Sequence, residues 1–333
     1  MRTKSKDEQA AERSWGWVLR LVGALLLLTS VAFALSRAPD LPVESLVGRY
    51  APPPSEFIDL KGQLVHLRDE GPRGDPEPIV LIHGTSASLH TWQGWVRALK
   101  TERRVITFDL PAFGLTGPFT GAYAPDDYRG TTYARFVVDL LDHLKIERAV
   151  LGGNSLGGEV AWRTAVLAPS RVTRLVLVDA AGPEFVPESM PIGFVIARTP
   201  GLNRITEWML PRELVERSVA NVYGDPAKVT PELVERYFQL TLREGNRRAL
   251  RIRMSQLEPG VGIEGLKTIR VPTLVMWGGQ DRLIPPAVAQ VFLQNIAGSR
   301  LVTFPALGHV PHEEDPAATV AELKRFLAAE KAP

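Results

Sequence analysis

The chain has 333 residues, 45% of them hydrophobic, and carries 39 basic against 37 acidic side chains for a formal net charge of +2. That length and apolar content can bury a full core, which excludes a disordered protein, and a nearly balanced charge without a basic stripe offers nothing to hold nucleic acid. No cysteine is present, which removes disulfides, thiolate metal sites and cysteine nucleophiles from consideration.

Residues 1–14 are polar and of mixed charge. Residues 15–36 begin with Trp15 and Trp17 and run apolar to Leu35, with Arg20 as the one charge. At about 1.5 Å per residue, positions 15–35 span roughly 31 Å, which reads as a transmembrane anchor with Arg20 near enough to one end to snorkel. Arg2, Lys4, Lys6, Arg13 and Arg20 precede the run and only Arg37 follows closely. The positive-inside rule therefore leaves the amino terminus cytoplasmic and the following domain periplasmic or extracellular. A secretory signal cleaved near Ala34, after the small-x-small run Ala32-Phe33-Ala34, is the alternative, and it exports the domain as well. Residues 37–54 contain Pro39, Pro42, Pro52, Pro53 and Pro54, and read as a stiff linker with no helix.

The folded domain is expected over 55–333. Phe57–Leu60 and Gln63–Leu67 flank Lys61-Gly62 as a hairpin, followed by turn residues from Gly71 to Pro78. Strands and helices then alternate. Ile79–Ile82 is an apolar strand ending in His83-Gly84, Trp92–Lys100 is helical, and Arg104–Phe108 is a strand closing on Asp109. A helix over Thr132–Leu144 leads to the strand around Ala149–Leu151, a helix over Glu159–Leu167, and a strand over Leu175–Val178 ending in Asp179. Short apolar strands separated by helices indicate a mostly parallel sheet covered on both faces, the α/β class. Between about 183 and 262 the alternation lapses into helical pieces, such as Arg212–Ala220 and Pro231–Leu242. A helical lid inserted in the domain accounts for that length better than a loop does. The pattern resumes with a strand over Thr273–Trp277, a helix over Pro286–Ile296, a strand over Arg300–Phe304 and a closing helix over Pro316–Ala329.

Chemistry concentrates at strand ends. Gly153, Ser155 and Gly157 form G-x-S-x-G between a strand and a helix, a setting that projects the serine hydroxyl from a sharp turn at the sheet edge. A serine hydroxyl needs a base, and the base an orienting group. Asp281 follows the strand Thr273–Trp277 and His309 follows the strand Arg300–Phe304. In a parallel sheet both fall on the same edge as Ser155. Asp179, which also ends a strand, competes with Asp281 for the acid role, and Asp281 has the alternative of capping the next helix. His312 competes with His309. His83 and Asp109 read as structural supports of their loops. No His/Glu set with metal spacing lies outside these residues, so neither a metal nor a cofactor is expected.

The segments LIHGTSAS (81–88), DLPAFGLTGP (109–118), GGNSLGG (152–158) and the pair GGQDRLIP and GHVPHEEDP, in this order, resemble the lid-bearing serine hydrolases of the α/β-hydrolase superfamily, the esterases and meta-cleavage-product hydrolases. The resemblance spans about Phe57 to the carboxyl terminus. It implies Ser155 as nucleophile, His309 as base, Asp281 as acid, and an oxyanion hole made by the backbone N–H groups of Thr85 and Leu156. It also implies hydrolysis of a small or medium, apolar carboxylic ester through an acyl-enzyme. Carbon–carbon bond hydrolysis is the alternative, and an inactive, membrane-anchored binding protein is the reading from another class. Phe194, Ile196, Trp208, Met209, Leu210 and Phe238 suggest an apolar pocket under the lid, and Arg198 and Arg204 are candidates to meet a carboxylate.

Overall fold

The computed structural model describes residues 6–123, 126–199 and 201–329, including side chains except at 6–14, 32–35, 203, 205 and 206. Eight strands form one sheet: β1 (Ser55–Leu60), β2 (Gln63–Glu70), β3 (Ile79–Ile82), β4 (Val105–Phe108), β5 (Ala149–Asn154), β6 (Val172–Val178), β7 (Thr273–Gly278) and β8 (Arg300–Phe304). Their spatial order is β1-β2-β4-β3-β5-β6-β7-β8. The hairpin β1–β2 is antiparallel and joins β4 antiparallel; every other pair is parallel.

Strands in the middle of such a sheet are buried on both faces, so their sequences are continuously apolar, and the side-chain alternation divides them between two cores. In β3, Val80 and Ile82 join the core packed under the helices Gly130–His143, Leu156–Leu167 and Ala289–Asn295, whereas Ile79 and Leu81 join the core under Gln93–Leu99 and Pro316–Ala329. The same alternation sends Leu175 and Leu177 of β6 to the first core and Val176 and Val178 to the second. Register brings Ile82 beside Gly153, Asn154 beside Val178, and Gly278 beside Phe304. The loops that follow β3, β5, β6, β7 and β8 therefore share one edge.

Between β6 and β7 lie the helices Ile192–Arg198, Arg212–Val222, Pro231–Thr241 and Asn246–Ser255. Thr230 starts the third by accepting from the Leu233 N–H at 3.2 Å, with Pro231 in the first turn, where its missing N–H costs nothing. Val215, Val219, Tyr223 and Val234 give these helices a small core of their own, which Val310 joins from the loop after β8.

The amino-terminal region departs from expectation in two ways. A continuous helix covers Lys6–Ser36, but among the described residues no helix is long and apolar enough to cross a membrane. The expected single-pass anchor over 15–35 therefore does not stand, nor does the membrane as a partner or the periplasmic or extracellular placement inferred from it. The alternative cleavage point near Ala34 lies where side chains fall outside the described residues.

The proline-rich linker, expected to be non-helical, contains the helix Val43–Tyr50. Its prolines stand outside the helix, Pro42 just before it and Pro52 just beyond, where they break no internal hydrogen bond. Leu46 and Tyr50, one turn apart, are buried. Ahead of this helix the chain crosses the lid as a strap: Ala38 N–H donates to the Trp208 carbonyl at 3.0 Å, Leu41 N–H to that of Leu242 at 2.7 Å, and Glu244 N–H to that of Leu41 at 2.9 Å.

Candidate active site

Ser155 sits between β5 and the helix Leu156–Leu167 at φ 54°, ψ −117°, a conformation that costs a non-glycine residue on the order of 1–3 kcal/mol. Its backbone is held from three directions. The N–H donates to the Val178 carbonyl at 3.0 Å, and its carbonyl accepts from the N–H groups of Glu159 and Ala181, each at 3.0 Å. The turn is tight enough that a Cβ on Gly157 would collide with the Ile82 carbonyl oxygen, so that position admits only glycine without movement of β3. Ser155 is partly exposed while the residues on either side of it are buried.

The loops after β7 and β8 bring Asp281 and His309 together. His309 Nδ1 lies 2.7 Å from Asp281 Oδ2, and both residues are buried. The other carboxylate oxygen of Asp281 accepts from the N–H groups of Leu283 and Ile284, each at 2.9 Å, closing the turn after β7; the next helical turn, Pro286–Val288, takes no cap from Asp281. His309 N–H donates to the Val222 carbonyl of the lid at 2.8 Å. Among the described residues Ser155 Oγ has no hydrogen-bond partner; it and His309 line the same cavity. Catalytic hydrogen bonds are commonly loose without substrate and tighten in the complex.

The competitors for these roles have other work. His312 is buried against Trp92, with ring centroids 4.0 Å apart, and its Nε2 lies 3.0 Å from Thr91 Oγ1. Burial, then the proximity of His309, pushes its pKa well below the ordinary value, so the ring stays neutral. His83 bonds the Gly84 carbonyl through Nδ1 at 2.7 Å and accepts from Leu110 N–H through Nε2 at 2.9 Å, bracing the loop after β3 against the loop after β4. Asp109 is fully buried and accepts from His66 Nδ1 at 2.7 Å and from the N–H groups of Leu89 and Leu115. Burial opposes its charge, but His66, with His83 and His90 behind it, outweighs that and holds the carboxyl well below the usual range.

Asp179, at the end of β6, is a different case. Its Oδ1 accepts from Gly278 N–H at 2.9 Å, while Oδ2 is buried with no partner. Oxygens of Asp179 and Asp281 and a ring nitrogen of His309 all lie within 4.8 Å of one another. Burial first, and the charge of Asp281 second, push the Asp179 carboxyl well above its ordinary range, because two buried carboxylates this close cannot both be ionised. Asp179 therefore keeps its proton. Among the described residues this trio is also the one grouping with metal-ligand spacing. A protonated Asp179 and a His309 Nδ1 already engaged with Asp281 make it a poor donor set, since metal ligands must be deprotonated and free.

A cavity of about 310 Å³ opens beside Ser155 and His309, walled by Thr85 and by lid residues including Phe194, Ile196, Met209 and Leu210. A second lobe of about 180 Å³ shares Thr85 and Ser155 and runs past Leu156 to Glu159, Arg198 and Arg253. Four of the six apolar lid residues expected at a pocket thus line it. Trp208 is exposed and Phe238 packs within the lid. Arg198 reaches the second lobe, while Arg204 is exposed and lines neither. The N–H groups of Thr85 and Leu156, the first outside any helix or strand and the second opening a helix, donate to no protein acceptor among the described residues.

Two residues important to this geometry were not singled out from the sequence. Asn154 Nδ2 donates to the His309 carbonyl at 2.9 Å and to that of Val178 at 3.2 Å. Glu314, buried, accepts from the N–H groups of Gly308 at 2.8 Å and of Gly224 and Asp225 at 2.9 Å each, tying the His309 loop to the lid. A polar residue closing an apolar strand and an acid in the short run His312-Glu313-Glu314 are the signals that were available for them.

Residues 79–323 match the model of the alpha/beta hydrolase family. The chain is 30% identical over 279 residues, 83% of its length and 70% of the relative's, to a dihydrolipoyllysine-residue acetyltransferase component of an acetoin cleaving system from Pseudomonas putida. Among solved structures it is similar to a meta-cleavage product hydrolase from Pseudomonas fluorescens IP01, with a TM-score of 0.70 and 25% identity over 83% of this chain and 98% of that one. It also shares the fold of a membrane phospholipase A, with a TM-score of 0.69 and 22% identity over 97% of this chain and all of that one. These names span several chemistries, as expected where one fold hosts many sites. With the sheet, the elbow and the family match in agreement, the chain belongs to the alpha/beta hydrolase family.

Proposed function

We propose that this protein is a serine hydrolase that cleaves a carboxylic ester with an apolar acyl group by way of an acyl-enzyme. The observation that carries the reading is the position of Ser155, on a strained turn where both lobes of the cavity meet, in a cavity also lined by a histidine already bonded to Asp281. Ser155 Oγ attacks the carbonyl carbon as His309 Nε2 takes its proton. Asp281 holds the ring with Nδ1–H toward itself and stabilises the imidazolium that forms. The tetrahedral oxyanion is received by the free N–H groups of Thr85 and Leu156, each such donor being worth on the order of 3 kcal/mol in the transition state. Collapse expels the alcohol, which takes the proton from His309, and a water activated by the same ring then hydrolyses the acyl-enzyme. The larger, apolar lobe suits the acyl chain and the smaller, more polar lobe suits the alcohol.

A second reading is hydrolysis of a carbon–carbon bond, the alternative attached to the meta-cleavage-product hydrolases, of which the similar enzyme from Pseudomonas fluorescens is one by name. Arg198 and Arg253 in the second lobe favour it, since a substrate carboxylate could pair with them there. The test is a side-by-side measurement of kcat/KM on p-nitrophenyl esters of graded acyl length and on a dienol-diketone carboxylate. The ester reading expects turnover of the esters that rises from acetate to medium-chain acyl groups. A large advantage for the diketone would replace it with the second reading.

A further inference from the structure

The wall of the main cavity contains one fully buried cation. Arg247, on the lid helix Asn246–Ser255, is 4% exposed and lines the cavity with Ser155 and His309. Its Nε and Nη2 both donate to Asp40 Oδ1, at 3.1 and 2.6 Å, and the other Asp40 oxygen accepts from Gly245 N–H at 3.2 Å. Asp40 belongs to the strap that crosses the lid, so residues far apart in the chain clasp this guanidinium in one orientation. The third nitrogen, Nη1, is buried and has no partner among the described residues. The cavity wall it shares is largely apolar, with Leu210, Val215, Val219 and Leu250, and none of the hydroxyls there, those of Ser218, Tyr237 and Thr241 among them, bonds Nη1.

We propose that Arg247 is a specificity-determining residue whose free Nη1–H groups receive an oxygen that the substrate carries away from its scissile carbonyl. This rests on the ester reading above and narrows it, from any apolar acyl ester to one whose acyl chain bears a second oxygen function. Asp40 balances the guanidinium charge, so a neutral carbonyl or hydroxyl suffices and a carboxylate is not required. A donor held in an apolar wall discriminates strongly, because a substrate lacking the oxygen leaves it unpaired and dry. The clasp also fixes where that oxygen must lie, which makes the preference one of chain length.

The test uses the full chain and two matched series of p-nitrophenyl esters, plain acyl esters from hexanoate to dodecanoate and the corresponding diacid derivatives ending in a methyl ester. At one chain length the methyl-ester-ended substrate is expected to exceed its plain counterpart in kcat/KM by about tenfold or more. In Arg247→Met that ratio is expected to fall to about one. Being a ratio within one preparation, it is unaffected by any loss of folded protein. A third series ending in a free carboxylate separates a neutral from an anionic acceptor, and in Asp40→Asn the carboxylate series is expected to gain on the methyl esters. Ratios near one at every length in the native protein, with plain esters turned over, would overturn the proposal and leave the ester reading standing, as would a preference that survives in Arg247→Met. Failure to turn over any ester would instead contradict the ester reading itself and the proposal with it.

Discussion

Asn154 donates its side-chain N–H to the backbone carbonyl of His309 at 2.9 Å, so the residue adjoining Ser155 holds the backbone of the residue proposed as its base. The second N–H bond, to Val178, anchors Asn154 to β6. The separation of Ser155 and His309 therefore depends on a side chain whose two N–H bonds both go to backbone carbonyls. In Asn154→Ala this tie is lost, and a displacement of about 1 Å is enough to lower kcat on the order of 100-fold. KM is expected to stay within a few-fold, with a stability loss of about 1–2 kcal/mol in urea unfolding. An unchanged kcat in a folded sample would show that the loops hold His309 without it.

The two strand-end acids are expected to separate cleanly. Asp281→Asn disturbs the partner of His309 Nδ1, a change that in another serine hydrolase costs about 10⁴ in kcat. Asp179→Asn places a neutral amide where a protonated carboxyl stood, keeping an acceptor for Gly278 N–H and adding no charge beside Asp281, and should retain activity within about tenfold. Steady-state rates of the two variants on one ester decide the assignment, and the reverse ranking would make Asp179 the acid.

Asp179 also predicts a pH dependence of stability. Its folded pKa lies above its unfolded value of about 3.9. The stabilisation tied to its proton is fully present below pH of about 3.9 and is lost as pH rises toward the folded pKa, at up to about 1.4 kcal/mol per pH unit. Asp179→Asn should remove this component, so its stability relative to the native protein improves from pH 5 to pH 8 in matched urea titrations. A difference that is flat across that range would mean that Asp179 is ionised in the fold.

Glu314 supplies acceptors for three backbone N–H groups from inside the protein. Truncation in Glu314→Ala leaves all three unpaired and should cost at least about 3 kcal/mol of stability, with a fall in kcat as the His309 loop loosens from the lid. Glu314→Gln keeps one acceptor oxygen and should fall between. Equal stabilities of native protein and Glu314→Ala would contradict the role given to this side chain.

The strap makes a prediction about where the chain can be cut. Removal of residues 1–35 leaves Ser36, whose carbonyl accepts from Leu210 N–H, and all contacts beyond it. That protein should unfold and react like the full chain. Removal of 1–54 also takes away Asp40, the partner of Arg247, and the buried Leu46 and Tyr50, and should lower stability by roughly 3–5 kcal/mol, from the burial of two large side chains alone. Indistinguishable Tm values for the two truncations would mean that the strap is not part of the fold.

The central strands were legible because they are short apolar runs between turn residues; β3 and β8 begin and end where the sequence places them, whereas β2 runs on to Glu70 past the expected Leu67 and β6 begins at Val172 ahead of the expected Leu175. Strand ends likewise marked Ser155, Asp179, Asp281 and His309 as candidates on one edge, and the choice of Asp281 over Asp179 came from the family resemblance. The helix Asn246–Ser255 was not legible. Four of its ten residues are arginine, and two of these, Arg247 and Arg253, are buried against Asp40 and Glu159 rather than exposed. Its inner face is therefore partly ionic and leaves little apolar periodicity to read. The helix Val43–Tyr50 was hidden by counting prolines without placing them. That Asp179 should be neutral and Asp281 be the partner of His309 depends on distances between strand ends, which no local pattern carries.

The central claim, that Ser155 is an activated nucleophile, is tested most directly by intact mass and peptide mapping after exposure to a fluorophosphonate. The account predicts one adduct per chain, located at Ser155, formed slowly or not at all in His309→Ala and absent in Ser155→Ala. Folded native protein that remains unlabelled, or that is labelled at another residue, would contradict it.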